Sequence, residues 1–165
     1  MNIWGIDPGI SGALCYYDTK EQGIEVFDMP TVTVGKRKEV NAYLLVDILL
    51  NGEWSKTSSS TPNTYVILER VHAMPGQGVS SMFSFGQSFG IIQGVVAGLS
   101  MRIQTVTPHK WKRDLAVPKG KDGSRAMAIS QFPNSSQRFS RKKDDGRAEA
   151  SLLALWGYKF GLGDA

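Results

Sequence analysis

The sequence is poor in the residues that form disulfide frameworks and zinc sites. Its 165 residues include one cysteine, Cys15, and two histidines, His72 and His109. A single cysteine excludes an internal disulfide and is typical of proteins from reducing compartments. The spacing of these three residues is not that of a zinc site. Cys15 lies in an apolar run, so we expect it to pack in the core, and we expect His72 to be a polar loop residue.

Long hydrophobic runs are also absent. No stretch approaches the roughly 20 apolar residues of a membrane-spanning helix, and the start of the chain lacks a basic region followed by an apolar signal core. These absences predict a soluble intracellular protein that does not bind a membrane, cytoplasmic or organellar. The length predicts one domain over residues 1–165. No Walker motif is present, so no nucleotide cofactor is predicted, and the Gly-x-Ser-x-Gly motif of serine hydrolases is absent as well.

Positive charge is concentrated in the second part of the chain. Residues 1–101 carry six Lys/Arg and nine Asp/Glu, whereas residues 102–165 carry thirteen and six. The balance therefore changes from −3 to +7. This asymmetry indicates either a face that binds a polyanion or a solvated surface without a partner, and charge alone does not decide between them.

Hydrophobic patterns predict an α/β protein. The alternating or apolar runs predict strands over residues 2–7, 13–17, 24–28, 64–69 and 102–106, of which the first three form an antiparallel meander. The run 64–69 is almost continuously apolar, as expected for a strand that is buried on both faces. Helical patterns cover residues 38–51, 80–99, 109–115 and 124–132, and a last helix begins at Asp144 or Asp145 and ends near Gly157.

Two of the predicted strands end on carboxylates. Asp7 closes the first strand and Glu69 closes the fourth, so parallel pairing would bring both to one edge of the sheet. The last helix offers Asp145 and Glu149, which lie on one face at a spacing of four. Four such carboxylates cannot all ionise together without a cation, and hard oxygen ligands favour Mg²⁺ or Mn²⁺. Two ions about 3.5–4 Å apart can activate a water in phosphodiester hydrolysis.

Each of these acids also has a purely structural interpretation. Asp7 could only form the turn at Pro8-Gly9. Asp144 and Asp145 could cap the last helix, and Glu149 could lie on a solvated face. An acid at the end of a buried strand is the hardest to explain in this way. The order of the four acids is therefore more specific than any one of them.

Cations and aromatic residues lie close to the acids in the second part of the sequence. Candidate phosphate-binding residues are Lys112, Lys119, Lys121, Arg125, Arg141, Lys142 and Lys143. Trp111 lies among cations and could stack on a base, but a core position is the more common role for such a tryptophan. Packing is also the expected role of Phe83, Phe85 and Phe89.

Glycines recur at every fourth position of the predicted helix 80–99, at Gly86, Gly90, Gly94 and Gly98. Such a row lines one side of a helix and permits a close neighbour. Each glycine destabilises the helix by about 0.8–1 kcal/mol relative to alanine. The row is consistent either with packing against the sheet of the same chain or with a contact between two chains.

Four short motifs together resemble a known family. They are Gly5-Ile6-Asp7-Pro8-Gly9, Leu68-Glu69-Arg70-Val71, Phe85-Gly86-Gln87-Ser88-Phe89-Gly90 and Asp144-Asp145-Gly146-Arg147-Ala148-Glu149-Ala150. In this order they resemble RuvC-type Holliday junction resolvases over essentially the whole chain. The last motif is more similar to phage-borne and chloroplast members than to the bacterial housekeeping enzyme.

The resemblance implies an RNase H-like fold with a five-stranded mixed sheet flanked by helices. It implies a homodimer that binds a four-way DNA junction and nicks two opposed strands symmetrically, leaving 5′-phosphate and 3′-hydroxyl ends. It further implies Mg²⁺, replaceable by Mn²⁺, held by Asp7, Glu69 and Glu149.

The fourth implied ligand falls on Asp144 or Asp145, because glycine stands at position 146, where the bacterial spacing places the acid. Helical facing favours Asp145. The resemblance also places Lys112 and the region of Lys121 and Arg125 near lysines of the family that approach the scissile phosphate.

Three further functions are compatible with the sequence. Asp7-Pro8-Gly9 followed by Gly12 resembles a phosphate loop of ATP-binding domains of the actin or sugar-kinase kind, although the chain is short for two such lobes. The second is a junction-binding module without catalysis, and the third is an RNase H-type ribonuclease.

Overall fold

A five-stranded mixed sheet forms the centre of the molecule. The structure is a computed structural model that describes residues 1–51, 64–70, 76 and 78–161, so the predictions for His72 and for the motif residue Val71 lie outside the described residues. The strands are β1 (Asn2–Asp7), β2 (Ala13–Asp18), β3 (Gly23–Asp28), β4 (Thr31–Val34), β5 (Arg37–Val40), β6 (Thr64–Glu69) and β7 (Arg102–Val106). The sheet order is β3-β2-β1-β6-β7, with β1, β2 and β3 antiparallel and β6 and β7 parallel to β1. The predicted fold class is confirmed.

Within the described residues, five α-helices accompany the sheet. They are α1 (Ala42–Asn51), α2 (Val79–Gly98), α3 (Pro108–Asp114), α4 (Gly123–Gln131) and α5 (Asp145–Trp156). Short 3₁₀ turns at Pro133–Phe139 and Lys142–Asp144 lead into α5, and a wider helical turn follows it at Gly157–Gly161. Among the helices described, none combines the length and the apolar character that crossing a membrane requires.

Both faces of the sheet are buried, which explains the nearly continuous apolar sequences of its central strands. Successive strand residues point to opposite faces. Trp4 and Ile6 of β1 pack in one core with α1 and α2. Ile3 of β1 and Cys15 of β2 pack in the other core with α3, α4 and α5. Cys15 is fully buried, as predicted.

The hairpin of β4 and β5 was missed by the sequence prediction. The helix predicted over residues 38–51 begins only at Ala42, and Lys38–Val40 is strand that pairs with β4. Val40 packs in the same core as Leu45 and Leu49 of α1, so the apolar spacing imitated one continuous helix. The β-branched alternation Thr31–Val34 was the signal that could have revealed the hairpin.

The glycine row of α2 faces away from the core. The buried residues of this helix are Ser88, Ile92 and Val96, on the side opposite the glycines. A Cβ added at Gly86, Gly90, Gly94 or Gly98 would meet no described atom within 4 Å. Of the two alternatives for the row, packing against the chain's own sheet is therefore excluded. The prediction of a packing role was also wrong for Phe83 and Phe85, which are 68% and 37% exposed, whereas Phe89 contacts the core.

Two glycines allow α5 to lie directly on β1 and the turn that follows it. A Cβ at Gly5 would overlap the carbonyl oxygen of Ala150 in α5. A Cβ at Gly146 would lie 2.8 Å from the carbonyl oxygen of Ser11 and 3.1 Å from Oδ2 of Asp7. Because neither position has room for a side chain, the first turns of α5 lie beside the end of β1. Gly146 is the position where the sequence departs from the bacterial motif, and it has no room for a side chain here.

Candidate active site

The ends of β1 and β6 bring two acids to the same edge of the sheet. Ile6 pairs with Leu68 in parallel register, so Asp7 and Glu69 follow on neighbouring strands. Asp7 is partly buried and Glu69 is buried. The backbone N–H of Gly9 donates a hydrogen bond of 3.4 Å to Oδ1 of Asp7. The two strand-end acids thus have the arrangement that the sequence predicted.

The start of α5 brings two more acids to the same place. Asp145 and Glu149, one helical turn apart, line a cleft of about 450 Å³ together with Asp7. Lys112, Lys121 and Ser124 also line this cleft. Glu69 is not part of the cleft wall, but its charge acts on Asp7. The cleft is called the acidic cleft below.

The crowding of these acids changes their protonation. Burial, followed by the charges of Glu69 and Glu149, raises the pKa of Asp7 to about 7, against the opposing effects of the Gly9 N–H and Lys112. Burial also raises the pKa of Glu69, and the charge of Glu149 adds to this effect. Neighbouring negative charges that raise the pKa of Asp7 and Glu69 create a region of negative potential, which favours a bound cation.

Consecutive residues of α3 hold acids from two different elements. The indole Nε1–H of the fully buried Trp111 donates a hydrogen bond of 2.8 Å to Oε1 of Glu69. The Lys112 ammonium donates to Oε1 of Glu149 at 2.6 Å. The core position of Trp111 is therefore confirmed. Its hydrogen bond to Glu69 was not predicted, because nothing in the sequence connects two residues that are 42 positions apart.

Both ends of α3 are fixed. Thr107 caps its beginning by accepting the backbone N–H of Lys110, and Pro108 occupies the first turn. At the other end, Asp114 accepts a hydrogen bond of 3.0 Å from the indole of Trp156 in α5 and one of 2.9 Å from Lys110. These donors hold the pKa of the Asp114 carboxyl well below its usual range. This anchoring gives Trp111 and Lys112 defined positions at the acidic cleft.

Asp145 faces a cation of α4. Nε of Arg125 lies 3.0 Å from Oδ1 of Asp145, and Arg125 also pairs with Asp122. The contact is an ion pair, and neither buried atom forms a well-directed hydrogen bond with the described residues. An incompletely satisfied carboxylate oxygen at the cleft is a candidate ligand for a cation.

The structure gives Asp144 and Asp145 different environments, whereas the sequence did not decide which of them is the site residue. Asp144 is buried and accepts hydrogen bonds from the backbone N–H and the guanidinium of Arg141, which hold its pKa below the usual value. Arg147, whose guanidinium binds Asp28 at 2.6 and 2.7 Å, lies on the other side of Asp144. Asp144 thus stabilises the start of α5, whereas Asp145 lines the acidic cleft. The metal-ligand role of Asp145 stays a prediction.

The carboxylate oxygens at the acidic cleft are suitable ligands for a hard divalent cation. Asp7, Asp145 and Glu149 offer carboxylate oxygens, which Mg²⁺ and Mn²⁺ prefer. Within the described ranges, no three His, Cys, Asp or Glu side chains are close enough to bind an ion in their present conformations. Glu149 and Asp145 are instead turned to Lys112 and Arg125. These two carboxylates would therefore exchange a side-chain cation for a metal ion.

The candidate phosphate-binding residues divide into two groups. Arg125 and Arg141 already form ion pairs within the protein, with Asp122 and Asp144 respectively. The others are exposed or line clefts: Lys121 lies in the acidic cleft, and Lys119 lies in an adjoining cleft of about 540 Å³ that shares Lys112 with it. Of the candidate residues, Lys112 pairs with Glu149, whereas the exposed Lys119, Lys121, Lys142 and Lys143 form no ion pair with the described residues.

Known proteins share parts of this sequence and its fold. The chloroplastic Holliday junction resolvase MOC1 of Chlamydomonas reinhardtii is 33% identical over 94 residues, which are 56% of this chain and 11% of that protein. The chain therefore spans about a ninth of the length of that curated relative. No protein-family model matches the chain.

Two solved structures superpose on most of the chain. Thermus thermophilus RuvC in complex with a Holliday junction substrate has a TM-score of 0.63 at 15% identity, covering 98% of this chain and 96% of that chain. The yeast mitochondrial Holliday junction resolvase Ydc2 has a TM-score of 0.54 at 13% identity, covering 92% and 75%.

The fold and the acidic cleft together define a class. The chain has an RNase H-like fold with carboxylates from β1, β6 and α5 gathered at one edge of its sheet. Within this class, the resemblance to RuvC-type Holliday junction resolvases that the motifs predicted is confirmed by the shared fold and by the partial sequence match.

Proposed function

We propose that the chain is a metal-dependent, structure-selective DNA endonuclease that resolves four-way junctions. It nicks two opposed strands symmetrically and leaves 5′-phosphate and 3′-hydroxyl ends, with residues 1–165 acting as one catalytic domain. The observation that carries this proposal is the acidic cleft, where Asp7, Asp145 and Glu149 meet beside Lys112 and Lys121. The similar proteins MOC1, RuvC and Ydc2 are junction resolvases, which agrees with it.

The four acids would hold Mg²⁺, for which Mn²⁺ can substitute. Asp7, Glu69, Asp145 and Glu149 are the ligands in this proposal. When bound, the metal would activate a water and stabilise the leaving oxygen of the scissile phosphodiester. The chain's own acids set the position of the reaction, because three different elements of the fold supply them.

The lysines and arginines around the acidic cleft would bind the DNA backbone. Lys112 and Lys121 lie on the cleft wall, and Lys119 lies on the adjoining one. Cations at these places neutralise phosphates and fix the scissile bond near the acids. The basic surface extends along α4 and the turn before α5 through Arg125, Arg141, Lys142 and Lys143.

A homodimer would present two acidic clefts to the two opposed strands. The support for dimerisation is the glycine row of α2, which is exposed. Outside the helix's own backbone, a Cβ added at any of its four positions would meet no described atom within 4 Å. Four exposed glycines cost about 0.8–1 kcal/mol each relative to alanine, and a closely packed partner helix would offset this cost. The exposed Phe83 lies on the same side of the helix and offers apolar area for that contact.

Light scattering on a variant with a substitution in the glycine row tests whether the protein is a dimer. Gly90→Leu has room in the isolated chain, since no described atom lies within 4 Å of the added Cβ, but it would block close approach of a second α2. We expect a dimer for the wild type and a folded monomer for the variant. Ser130→Leu, on the exposed side of α4, is the control and should stay dimeric. A wild-type monomer at micromolar concentration would contradict the dimer.

We also propose that the protein acts in an intracellular compartment that contains DNA. The cytoplasm of a phage-infected bacterium and an organelle both meet this requirement, and the curated relative is chloroplastic.

A substrate panel tests the nuclease proposal. Purified protein with Mg²⁺ is incubated with a synthetic four-way junction, a linear duplex of the same sequence and an RNA–DNA hybrid. We expect cleavage of the junction alone, its loss on chelation, and its loss in Asp145→Asn but not in the exposed control Glu21→Gln. Preferential cleavage of the hybrid would identify a ribonuclease instead. Binding of the junction without cleavage would identify a non-catalytic module.

A further inference from the structure

Oε1 of Glu149 is the most heavily bonded carboxylate oxygen of the acidic cleft. The Lys112 ammonium lies 2.6 Å from it, and the Ser124 hydroxyl donates to the same atom at 3.0 Å. These donors come from α3 and α4, whereas Glu149 belongs to α5. One charged and one neutral donor thus converge on the oxygen that the proposed function assigns to a metal ion.

The charge of Lys112 also reaches the strand-end acids. It opposes the rise in the pKa of both Asp7 and Glu69. The groups that face its ammonium are therefore Asp7, Glu69 and Glu149, together with the Trp111 ring, whose centroid lies 5.1 Å from Nζ. A group of three mutually repelling carboxylates needs a cation to remain ionised, and Lys112 supplies one positive charge to it.

We propose that Lys112 is a built-in counter-cation of the acidic cleft, which a divalent ion displaces from Glu149. This inference rests on the proposed function, because it assumes that Glu149 binds the ion. The ammonium and the ion compete for the same oxygen, while Ser124, a neutral donor, keeps that oxygen oriented when Lys112 leaves. The Lys112 side chain is 39% exposed, so it can swing away from Glu149 without unpacking the core.

The exchange has a consequence for DNA binding. While Lys112 is bonded to Glu149, its charge is used inside the protein. Its release would place a free ammonium on the wall that the acidic cleft shares with the adjoining cleft. Ion binding would thereby prepare a phosphate contact within reach of the ion, and ion and DNA would favour each other's binding.

Calorimetric titration of DNA-free protein with Mn²⁺ tests the competition directly. Lys112→Met removes the competing cation, so the Mn²⁺ dissociation constant should fall about tenfold, which corresponds to about 1.4 kcal/mol. Lys112→Arg retains a cation and should stay near the wild type. Lys20→Met, an exposed lysine in the turn between β2 and β3, is the control and should leave Mn²⁺ binding unchanged.

The opposite result has a distinct meaning. If Lys112 only holds Glu149 in place, Lys112→Met should bind Mn²⁺ equally well or more weakly than the wild type, and either outcome overturns the inference. Should Lys112→Met fail to fold, Lys112→Gln repeats the test with a neutral side chain of similar length. Tight wild-type binding with no tightening in the variants refutes the counter-cation alone, whereas absence of Mn²⁺ binding in all proteins refutes the nuclease proposal as well.

Discussion

The indole of Trp111 donates a hydrogen bond of 2.8 Å to Oε1 of Glu69, and both residues are buried. This bond connects the first helix after β7 to the acid at the end of β6. It fixes one oxygen of Glu69 and opposes the rise in its pKa that burial causes. A hydrogen-bond partner of this kind orients a ligating side chain and tunes its affinity for metal.

Trp111→Phe should therefore reduce the affinity for the metal ion more than it reduces the stability of the fold. Phenylalanine retains most of the buried ring but removes the donor, which leaves a buried carboxylate oxygen unpaired. We expect the Mg²⁺ concentration at half-maximal cleavage to rise by about 10- to 100-fold. Cleavage rates over a range of Mg²⁺ concentrations measure this value. A variant that loses thermal stability but keeps the wild-type Mg²⁺ dependence would show that Trp111 is only a packing residue.

The stability of the metal-free protein should depend on pH through Asp7. The pKa of this group is raised from 3.8 to about 7 by burial and by Glu69 and Glu149, so the folded state retains a proton that the unfolded state releases. The stability that this proton provides is complete below about pH 4 and is lost as the pH rises towards 7. Asp7→Asn cannot lose a proton and should not show this change.

Urea unfolding in the presence of a chelator measures the effect. The free energy of unfolding of the wild type minus that of Asp7→Asn should fall between about pH 4 and pH 7 by an amount on the order of a few kcal/mol and then level off. The difference removes the contributions of titrating groups that do not interact with Asp7. A difference that does not vary with pH would contradict the assigned environment of Asp7.

Gly146→Ala should displace α5 from the end of β1. The added Cβ would lie 2.8 Å from the carbonyl oxygen of Ser11 and 3.1 Å from Oδ2 of Asp7, so the helix must shift. We expect a loss of about 1–3 kcal/mol in the free energy of unfolding together with a fall in cleavage. Gly78→Ala, at an extended backbone position (φ −63°) outside the glycine row where the added Cβ meets no described atom within 4 Å, should have little effect. Equal effects of the two substitutions would contradict the close packing of Gly146.

Junction affinity should depend steeply on salt. A protein that contacts six or more phosphates loses about 10³–10⁵ in affinity between about 50 and 200 mM salt. Replacing both Lys142 and Lys143 by alanine should reduce the slope of log affinity against log salt by about 2. Lys20→Ala, at an exposed lysine outside the positively charged residues 102–165, is the control. A flat salt profile of the wild type would argue against the basic surface as the DNA-binding face.

The sheet and the strand-end acids could be predicted because their signals are local. Six-residue runs ending at Asp7 and Glu69 predict two strands that deliver an acid to the same edge if they pair in parallel, and the structure shows that pairing. The start of α5 followed from the acids of its first turn. The hairpin Thr31–Val40 was missed because Val40 lies in the same core as the buried residues of α1, which made a strand imitate helical spacing.

The contacts between side chains of the site could not be predicted. The bonds of Trp111 to Glu69 and of Lys112 to Glu149 depend on how α3 lies across the sheet edge, which no single residue pattern specifies. The distinction between Asp144 and Asp145 likewise depends on Arg141 and on the packing of the turn before α5. Spacing restricted the choice to two adjacent acids, and the tertiary contacts separate them.

Mapping the nicks on a four-way junction tests the central claim most directly. A junction labelled on each strand in turn, with Mg²⁺ and wild-type protein, should show two nicks at symmetry-related positions on opposed strands, and a ligase should be able to reseal the products. Asp7→Asn should bind the same junction and leave it intact. An uncut junction with the wild type, or undiminished nicking by Asp7→Asn, would contradict the assignment of the acidic cleft as a nuclease site.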